Sequence, residues 1–206
     1  MEAFTRLTAI AVPIELKNVN TDMIFPARFM RRPRDGRYAS YLFHDRRFAA
    51  DGTEHADFVL NRPAYRKARI IVGNTNFGCG SSRETAVYAL HDYGIRALIA
   101  PSFGDIFAAN CVRNGLLPIR LADDVCDDLR ALAMTRPGVE LTVDLARQEI
   151  AVPEKITVHF DVEPFDKECL LHGLDDVDVT LREEASIAGF ETAYRRRFPW
   201  RAGGPA

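Results

Sequence analysis

The chain predicts an α/β fold with parallel strand pairing, and three observations carry that prediction. Between residues 68 and 135, short β-branched runs alternate with longer stretches whose apolar residues recur at helical spacing. Each helical stretch ends at a recognisable stop: Gly94, Gly115 and Arg136–Pro137–Gly138. The resulting order of strand, helix, strand, helix, strand makes βαβ units, which set parallel strands side by side.

Taken in order, residues 4–16 read as one or two strands interrupted by Pro13. Residues 18–47 are rich in turn formers and strongly basic, with arginines at 28, 31, 32, 34 and 37, and predict a long, partly mobile loop. ARIIVG (68–73) is a buried strand, followed by the glycine-rich turn NTNFGCGSS and a helix that ends at Gly94. IRALIA (95–100) is the next strand, 104–114 a helix, LLPIRL (116–121) a strand, and ADDVCDDLRALAMT an amphipathic helix with an acidic first turn. Beyond it, VELTVDLARQEIAV predicts a hairpin around 146–148, and ITVHFDV a further strand. PFDKECLLHG is a short helix, TLREEASIAGFETAYRRRF a longer terminal helix, and RAGGPA a frayed tail. No linker divides the chain.

The 206 residues are 47% hydrophobic and 27% charged, with a formal net charge of −2 and a pI near 6.2. That balance gives no reason to expect nucleic acid or an anionic membrane as the main partner. No apolar run approaches a membrane span, and the first residues lack the pattern of a secretory signal, so a cytoplasmic location is expected. Cys79, Cys111, Cys126 and Cys169 form no C-x-x-C pair and read as reduced, mostly buried thiols. An iron–sulfur centre needs thiolates gathered at one place, and this spacing gathers none. The histidines at 44, 55, 91, 159 and 172 have no metal-ligand spacing, so no metal is assigned to the chain.

Chemistry concentrates in G-N-T-N-F-G-C-G-S-S-R-E, residues 73–84, between a strand and a helix. Glycines there permit positive φ and close backbone approach to a ligand. Ser81 and Ser82 fall where the helix should begin, so they predict an N-cap and an anion site fed by the helix dipole. Arg83 adds a planar fork that suits a carboxylate. The P-loop lysine is missing, and G-x-G-x-x-G is not matched. Serine becomes a base only as an alkoxide, which needs N–H groups and positive charge nearby, and this turn supplies both. Thr21 and Asp22, in N-V-N-T-D, either orient polar groups or close a simple turn. Among the arginines at 31, 32, 34 and 37, one or two could reach a diacid while the rest are solvated.

Four motifs in sequence, NVNTDMIFPARFM, NFGCGSSRE, IAPSFGDIFAANCVRNGLLPI and LLHGLDDVDVTL, resemble the bacterial small subunits of the isopropylmalate dehydratase family, within the aconitase superfamily. The resemblance covers the chain to about the terminal helix. It implies a swivelling β/β/α domain over residues 1–206, like the mobile domain of aconitases, with a C-terminal helical extension and tail from about 176 to 206. It also implies a hydro-lyase that interconverts 2-isopropylmalate and 3-isopropylmalate in leucine biosynthesis, inactive without a large subunit that bears the iron–sulfur cluster. By the same resemblance Ser81 is the catalytic base, Ser82 and Arg83 bind the substrate carboxylate, Thr21 and Asp22 form an active-site turn, and Arg34 recognises substrate. Two positions depart from the family pattern: Asn20 stands where Asp is usual, and Thr85 where His is usual. They leave open a related dehydratase for methylmalate, citraconate or homocitrate-type acids; a non-catalytic carboxylate-binding module that kept the fold is a separate alternative.

Overall fold

The computed structural model describes residues 1–201, apart from the side chains of 155, 156 and 201; the tail from 202 onwards lies outside the described residues. Seven strands form one sheet in the order β4-β3-β2-β1-β5-β6-β7. They are β1 (Arg6–Pro13), β2 (Ile70–Val72), β3 (Ala97–Ala100), β4 (Leu117–Arg120), β5 (Glu140–Asp144), β6 (Glu149–Val152) and β7 (Ile156–His159). The pairs from β1 to β4 are parallel, and those from β1 through β5 and β6 to β7 are antiparallel. β1 is the hinge between these halves. Its residues 6–10 face β5 with Ala9 opposite Leu141, while residues 11–13 face β2 with Ala11 opposite Ile70. Residues 4–16 thus hold a single strand, and Pro13 closes it.

Three short helices, α1 (Thr21–Ile24), α2 (Tyr38–Tyr41) and α3 (His44–Arg47), come first; then α4 (Glu84–Tyr93) links β2 to β3, α5 (Asp105–Arg113) links β3 to β4, and α6 (Asp123–Thr135) leads from β4 to β5. Because the strands are covered on both faces, their side chains alternate between two cores rather than between core and water. Ile71, Leu98 and Val12 enter a core with α4 and the 19–65 segment, whereas Ile70, Val72, Ile99 and Ala11 enter one with α6 and the antiparallel strands. That is why 68–73 and 95–100 read as uninterrupted apolar runs.

The 18–47 region is not the loose loop that its charge predicts. It folds into α1 (Thr21–Ile24), a 3₁₀ turn at Ala27–Phe29, α2 (Tyr38–Tyr41) and α3 (His44–Arg47). Phe25, Leu42 and Phe43 are fully buried, and Phe29 stacks on Tyr41 at 4.2 Å while Phe25 meets Tyr38 at 4.8 Å. These aromatic anchors lie between the arginines and outweigh their preference for water. Arg47 is itself buried, donating to Asn61 Oδ1 at 3.1 Å and to the carbonyls of Ala39 and Leu42.

The hairpin joining β5 to β6 turns at 145–148 as expected, with Gln148 in the left-handed region. The strand in ITVHFDV ends at His159, three residues earlier than the sequence suggests. α7 (Pro164–His172) is followed by two helices, α8 (Asp176–Leu181) and α9 (Glu184–Arg197), where one was expected. Asp175 starts α8 by accepting from the amides of Val177 and Asp178, with Asp178 reciprocating in a capping box. The break falls at Arg182–Glu183, with no glycine or proline to announce it. Among the described residues no helix is long and apolar enough to cross a membrane.

One contact in this frame is tight enough to test. Gly78 has φ +73, and a Cβ there would lie 2.1 Å from the Phe107 ring. Gly78→Ala is expected to cost about 2–4 kcal/mol of unfolding free energy through overlap and backbone strain together. Urea denaturation measures this, and a loss under about 0.5 kcal/mol, the range of an ordinary surface change, would contradict the packing.

Candidate active site

The 73–83 turn is held from both sides by backbone. Asn76 adopts φ 61 and receives support from Ser102 Oγ, while its side chain donates to Asn18 Oδ1 at 2.8 Å. Phe77 N–H donates to the Ser102 carbonyl, and Gly104 N–H to the Phe77 carbonyl at 3.0 Å. On the other flank Gly78 N–H donates to the Val19 carbonyl at 2.7 Å, and Thr21 N–H to the Cys79 carbonyl at 2.9 Å. The turn therefore sits as a middle strand between residues 18–21 and 102–104. A Cβ on Gly104 would lie 2.6 Å from the Gly78 carbonyl oxygen, so the two backbones touch where only glycine fits.

From this clamp the chain emerges at Gly80. Gly80, Ser81 and Ser82 are exposed, and Arg83 is partly so. Thr21, itself buried, donates its hydroxyl to the Ser81 carbonyl at 2.8 Å. The Ser81 backbone is thereby fixed, while among the described residues neither serine hydroxyl has a protein hydrogen-bond partner. The expected serine cap is not formed. α4 starts at Glu84, the cap position is Arg83 with φ −121 and ψ 101, and no side chain caps it. Both serines are displaced from capping because the turn needs them to cross from the clamp to the helix. Their hydroxyls stay free for a ligand.

The start of α5 is the feature that the sequence reading missed. Gly104 is its cap position, again with no side-chain cap. Ser81, Ser82, Arg83, Gly104, Asp105 and Ile106 line one open pocket of about 210 Å³. Two uncapped helix starts therefore meet at the same place, each presenting partial positive charge. The signal was present as F-G-D before a helix, but nothing local said that it would face the serines. Asp105 is the one acid in the lining, and its side chain is almost fully exposed, 3.6 Å from Arg120. Two larger cavities, of about 710 and 600 Å³, contain neither serine nor Arg83.

Arg83 is oriented by Asp22, which bonds its Nη1 and also accepts from the Ala27 amide at 2.9 Å. The Arg83 guanidinium, then the Ala27 amide, hold the Asp22 carboxyl below its ordinary value. Asn20 caps α1, accepting from Met23 N–H at 2.7 Å. Thr21, Asp22, Ser81, Ser82 and Arg83 thus come together. Arg34 does not join them in the chain alone: Asp92 holds its Nε at 3.1 Å and Nη2 at 2.6 Å, and it lies 4.4 Å over the Tyr88 ring. Asp92 is on the last turn of α4, a helix of about 15 Å, so Arg34 sits toward the end opposite the serines. The Thr85 hydroxyl is buried without a partner in the first turn.

All four cysteines are free, and Cys111, Cys126 and Cys169 are buried. Burial pushes the Cys111 and Cys169 thiols up, and that of Cys126 to about 11, so all three are protonated and inert. His91 is pushed down by burial first and by Arg96 second, which keeps it neutral. Among the described residues no three His, Cys, Asp or Glu side chains could hold a metal ion. These residues do not fit an iron–sulfur cluster.

A family profile described as the aconitase C-terminal domain matches residues 1–124, and one described as LeuD_N matches 127–164. The 3-isopropylmalate dehydratase small subunit of Paramagnetospirillum magneticum is 49% identical over 97% of this chain and 100% of its own. That of Rhodospirillum centenum is 49% identical over 98% of this chain and again all of its own. A crystal structure of 3-isopropylmalate dehydratase (leuD) from Methanocaldococcus jannaschii superposes with a TM-score of 0.64 at 28% identity, covering 90% of this chain and 99% of that one.

The Asp22–Arg83 pair makes a pH prediction. A carboxyl depressed on folding contributes stability that is present above its unfolded value and lost as pH falls through its folded value. The Asp22 carboxyl is expected to titrate below 3.8 in the folded chain and to return toward 3.8 in Arg83→Gln. Carboxyl-detected NMR reads both midpoints, and equal midpoints would remove the pair.

Proposed function

Because this chain belongs to the 3-isopropylmalate dehydratase small-subunit family and carries an aconitase C-terminal domain, we propose that it is the small subunit of that hydro-lyase. In this reading the whole chain is one swivelling domain, and it works in leucine biosynthesis by closing over a cluster-bearing large subunit. The observation that carries the reading is the exposed Ser81–Ser82–Arg83 turn at the meeting point of two uncapped helix starts.

Interconverting 2-isopropylmalate and 3-isopropylmalate by dehydration and rehydration requires removal of a carbon-bound proton beside a carboxylate and departure of the hydroxyl from the neighbouring carbon, which the large subunit's iron–sulfur cluster would assist as a Lewis acid when bound. Ser81 Oγ takes that proton as an alkoxide. Its negative charge is stabilised where it forms by the starts of α4 and α5 and by Arg83, groups already fixed before the reaction. Ser82 Oγ and the Arg83 donors that Asp22 leaves unused hold a substrate carboxylate. Asp22 sets the plane of the guanidinium, and Thr21 sets the Ser81 backbone. Arg34 is kept as the recognising arginine of the assembled site. In the chain alone the pocket is open to solvent on one side, and docking of the large subunit would close it and exclude water.

Mixed with the large subunit, Ser81→Ala is expected to lose about 10²–10⁴-fold in kcat, the range of a positioned proton acceptor, with unchanged thermal stability. Turnover at the wild-type rate would refute the assignment of the base. Arg83→Lys is expected to raise KM for the diacid at least about tenfold, because lysine cannot present the paired donors. A panel of isopropylmalate, methylmalate, citraconate and homocitrate then tests the substrate, the expected outcome being the highest kcat/KM for isopropylmalate.

A further inference from the structure

The Ser81 turn offers too little surface to hold a partner. A stable protein interface buries about 800 Å² on each side, roughly 20–30 residues, and the turn exposes only Gly80, Ser81 and Ser82 with part of Arg83. The exposed large apolar side chains are not scattered over the molecule. Ile106, Phe165, Val177, Leu181, Ile187 and Phe190 lie on α5, α7, α8 and α9, with Trp200 just beyond, and among the described residues only Met30 and Met134 lie elsewhere.

This surface is continuous with the pocket. Asp105 and Ile106 line the pocket at the start of α5, and Asp105 also lines a groove of about 710 Å³ between α5 and the approach to α7. At the other end of α5, about 14 Å away, Arg113, Phe165 and Asp176 line a further cleft that reaches α8. α9 extends the run. None of its 14 residues is buried, and a helix of that length has marginal stability in water unless something packs on it. The aromatic residues from Phe190 to Trp200 meet in succession along the arm at 5.0–5.7 Å between centroids, the first pair stacked and the last edge-on. An apolar surface of this extent on a soluble chain marks an interaction site.

We propose that the apolar run from Ile106 through Phe165 to Leu181, which the Arg182–Glu168 ion pair holds against α7, is the docking surface for the large subunit, whose seat there brings its own half of the site over Ser81. The inference rests on the functional reading above, which requires a partner at the Ser81 pocket. Continuity between pocket and apolar run is what selects this partner over a second copy of the chain.

The test is a binding titration of the full-length chain against the large subunit by calorimetry, alongside turnover at saturating small subunit. The double variant Phe165→Ser/Leu181→Ser is expected to bind at least tenfold more weakly, with kcat at saturation unchanged and circular dichroism as in the wild type. Met134→Ser, an exposed apolar change on α6, is expected to bind like the wild type and serves as the control. Wild-type affinity in the double variant, or an equal loss in Met134→Ser, overturns the proposal. So does self-association of the wild-type chain that the double variant abolishes while its affinity for the large subunit is unchanged, since the run would then belong to a second copy. Full turnover in Ser81→Ala would instead sink the functional reading while leaving the binding titration intact, so the two failures are distinct.

Discussion

The contact on which the rest depends is the one between the backbones of Gly78 and Gly104. Neither position has room for a side chain: a Cβ on one meets the Phe107 ring, and a Cβ on the other meets the Gly78 carbonyl. Their approach lets Phe77 pair with Phe103 on one flank while Asn20 pairs with Cys79 on the other. Three segments distant in sequence are locked there by hydrogen bonds between main-chain groups, which side-chain motion does not loosen. Ser81 lies three residues beyond the clamp, and Thr21 ties its carbonyl down. The placement of the Ser81 hydroxyl thus follows from sterics at a pair of glycines.

Electrostatics follows from the same contact. Bringing Gly104 against Gly78 brings the start of α5 beside the start of α4, so two helix ends point at one pocket. Such partial charges act within a turn of the helix end and are screened by water. They are therefore modest in the open chain and gain strength when the pocket is covered. Arg83 must remain charged and aimed, yet an unrestrained arginine at an exposed turn would sample many rotamers. Asp22 restrains it through Nη1 at the cost of offsetting part of its charge. Because Asp22 is itself largely exposed and also satisfied by the Ala27 amide, that offset is small beside the gain in orientation.

Much of this was legible in the sequence, and the rest was hidden for identifiable reasons. The βαβ alternation could be read because buried parallel strands and stop-punctuated helices leave strong local signals, as in ARIIVG and Gly94. The turn at 73–84 could be singled out as the candidate site from residue types alone. The helix start was misplaced by two residues because serine preference for caps is a local rule, and here the tertiary clamp needs the serines in the connection. The 18–47 segment deceived through composition: its arginines are conspicuous, but Phe25, Leu42 and Phe43, spaced without helical or strand period, decide its fold. The second helix start could not be assigned to the pocket, since only the sheet order brings residues 104–106 to residues 78–83.

The two departures from the family pattern can now be weighed by what their atoms do. Asn20 supplies a cap acceptor for Met23 N–H, a task that needs an oxygen but no charge, so an amide serves as well as a carboxylate there. Removing a carboxylate also leaves Asp22 as the acid that engages Arg83. Thr85 is different, because its hydroxyl is buried without a partner, and a buried unsatisfied hydroxyl destabilises by about 1–3 kcal/mol. That cost falls in the first turn of α4, behind the serines rather than among them. The groups that would meet a substrate, Ser81, Ser82 and Arg83, keep their positions through Thr21, Asp22 and the glycine clamp, none of which involves Thr85. Position 85 therefore bears on how firmly the helix start is held, while the hydroxyls and the guanidinium that the turn exposes are set in front of it.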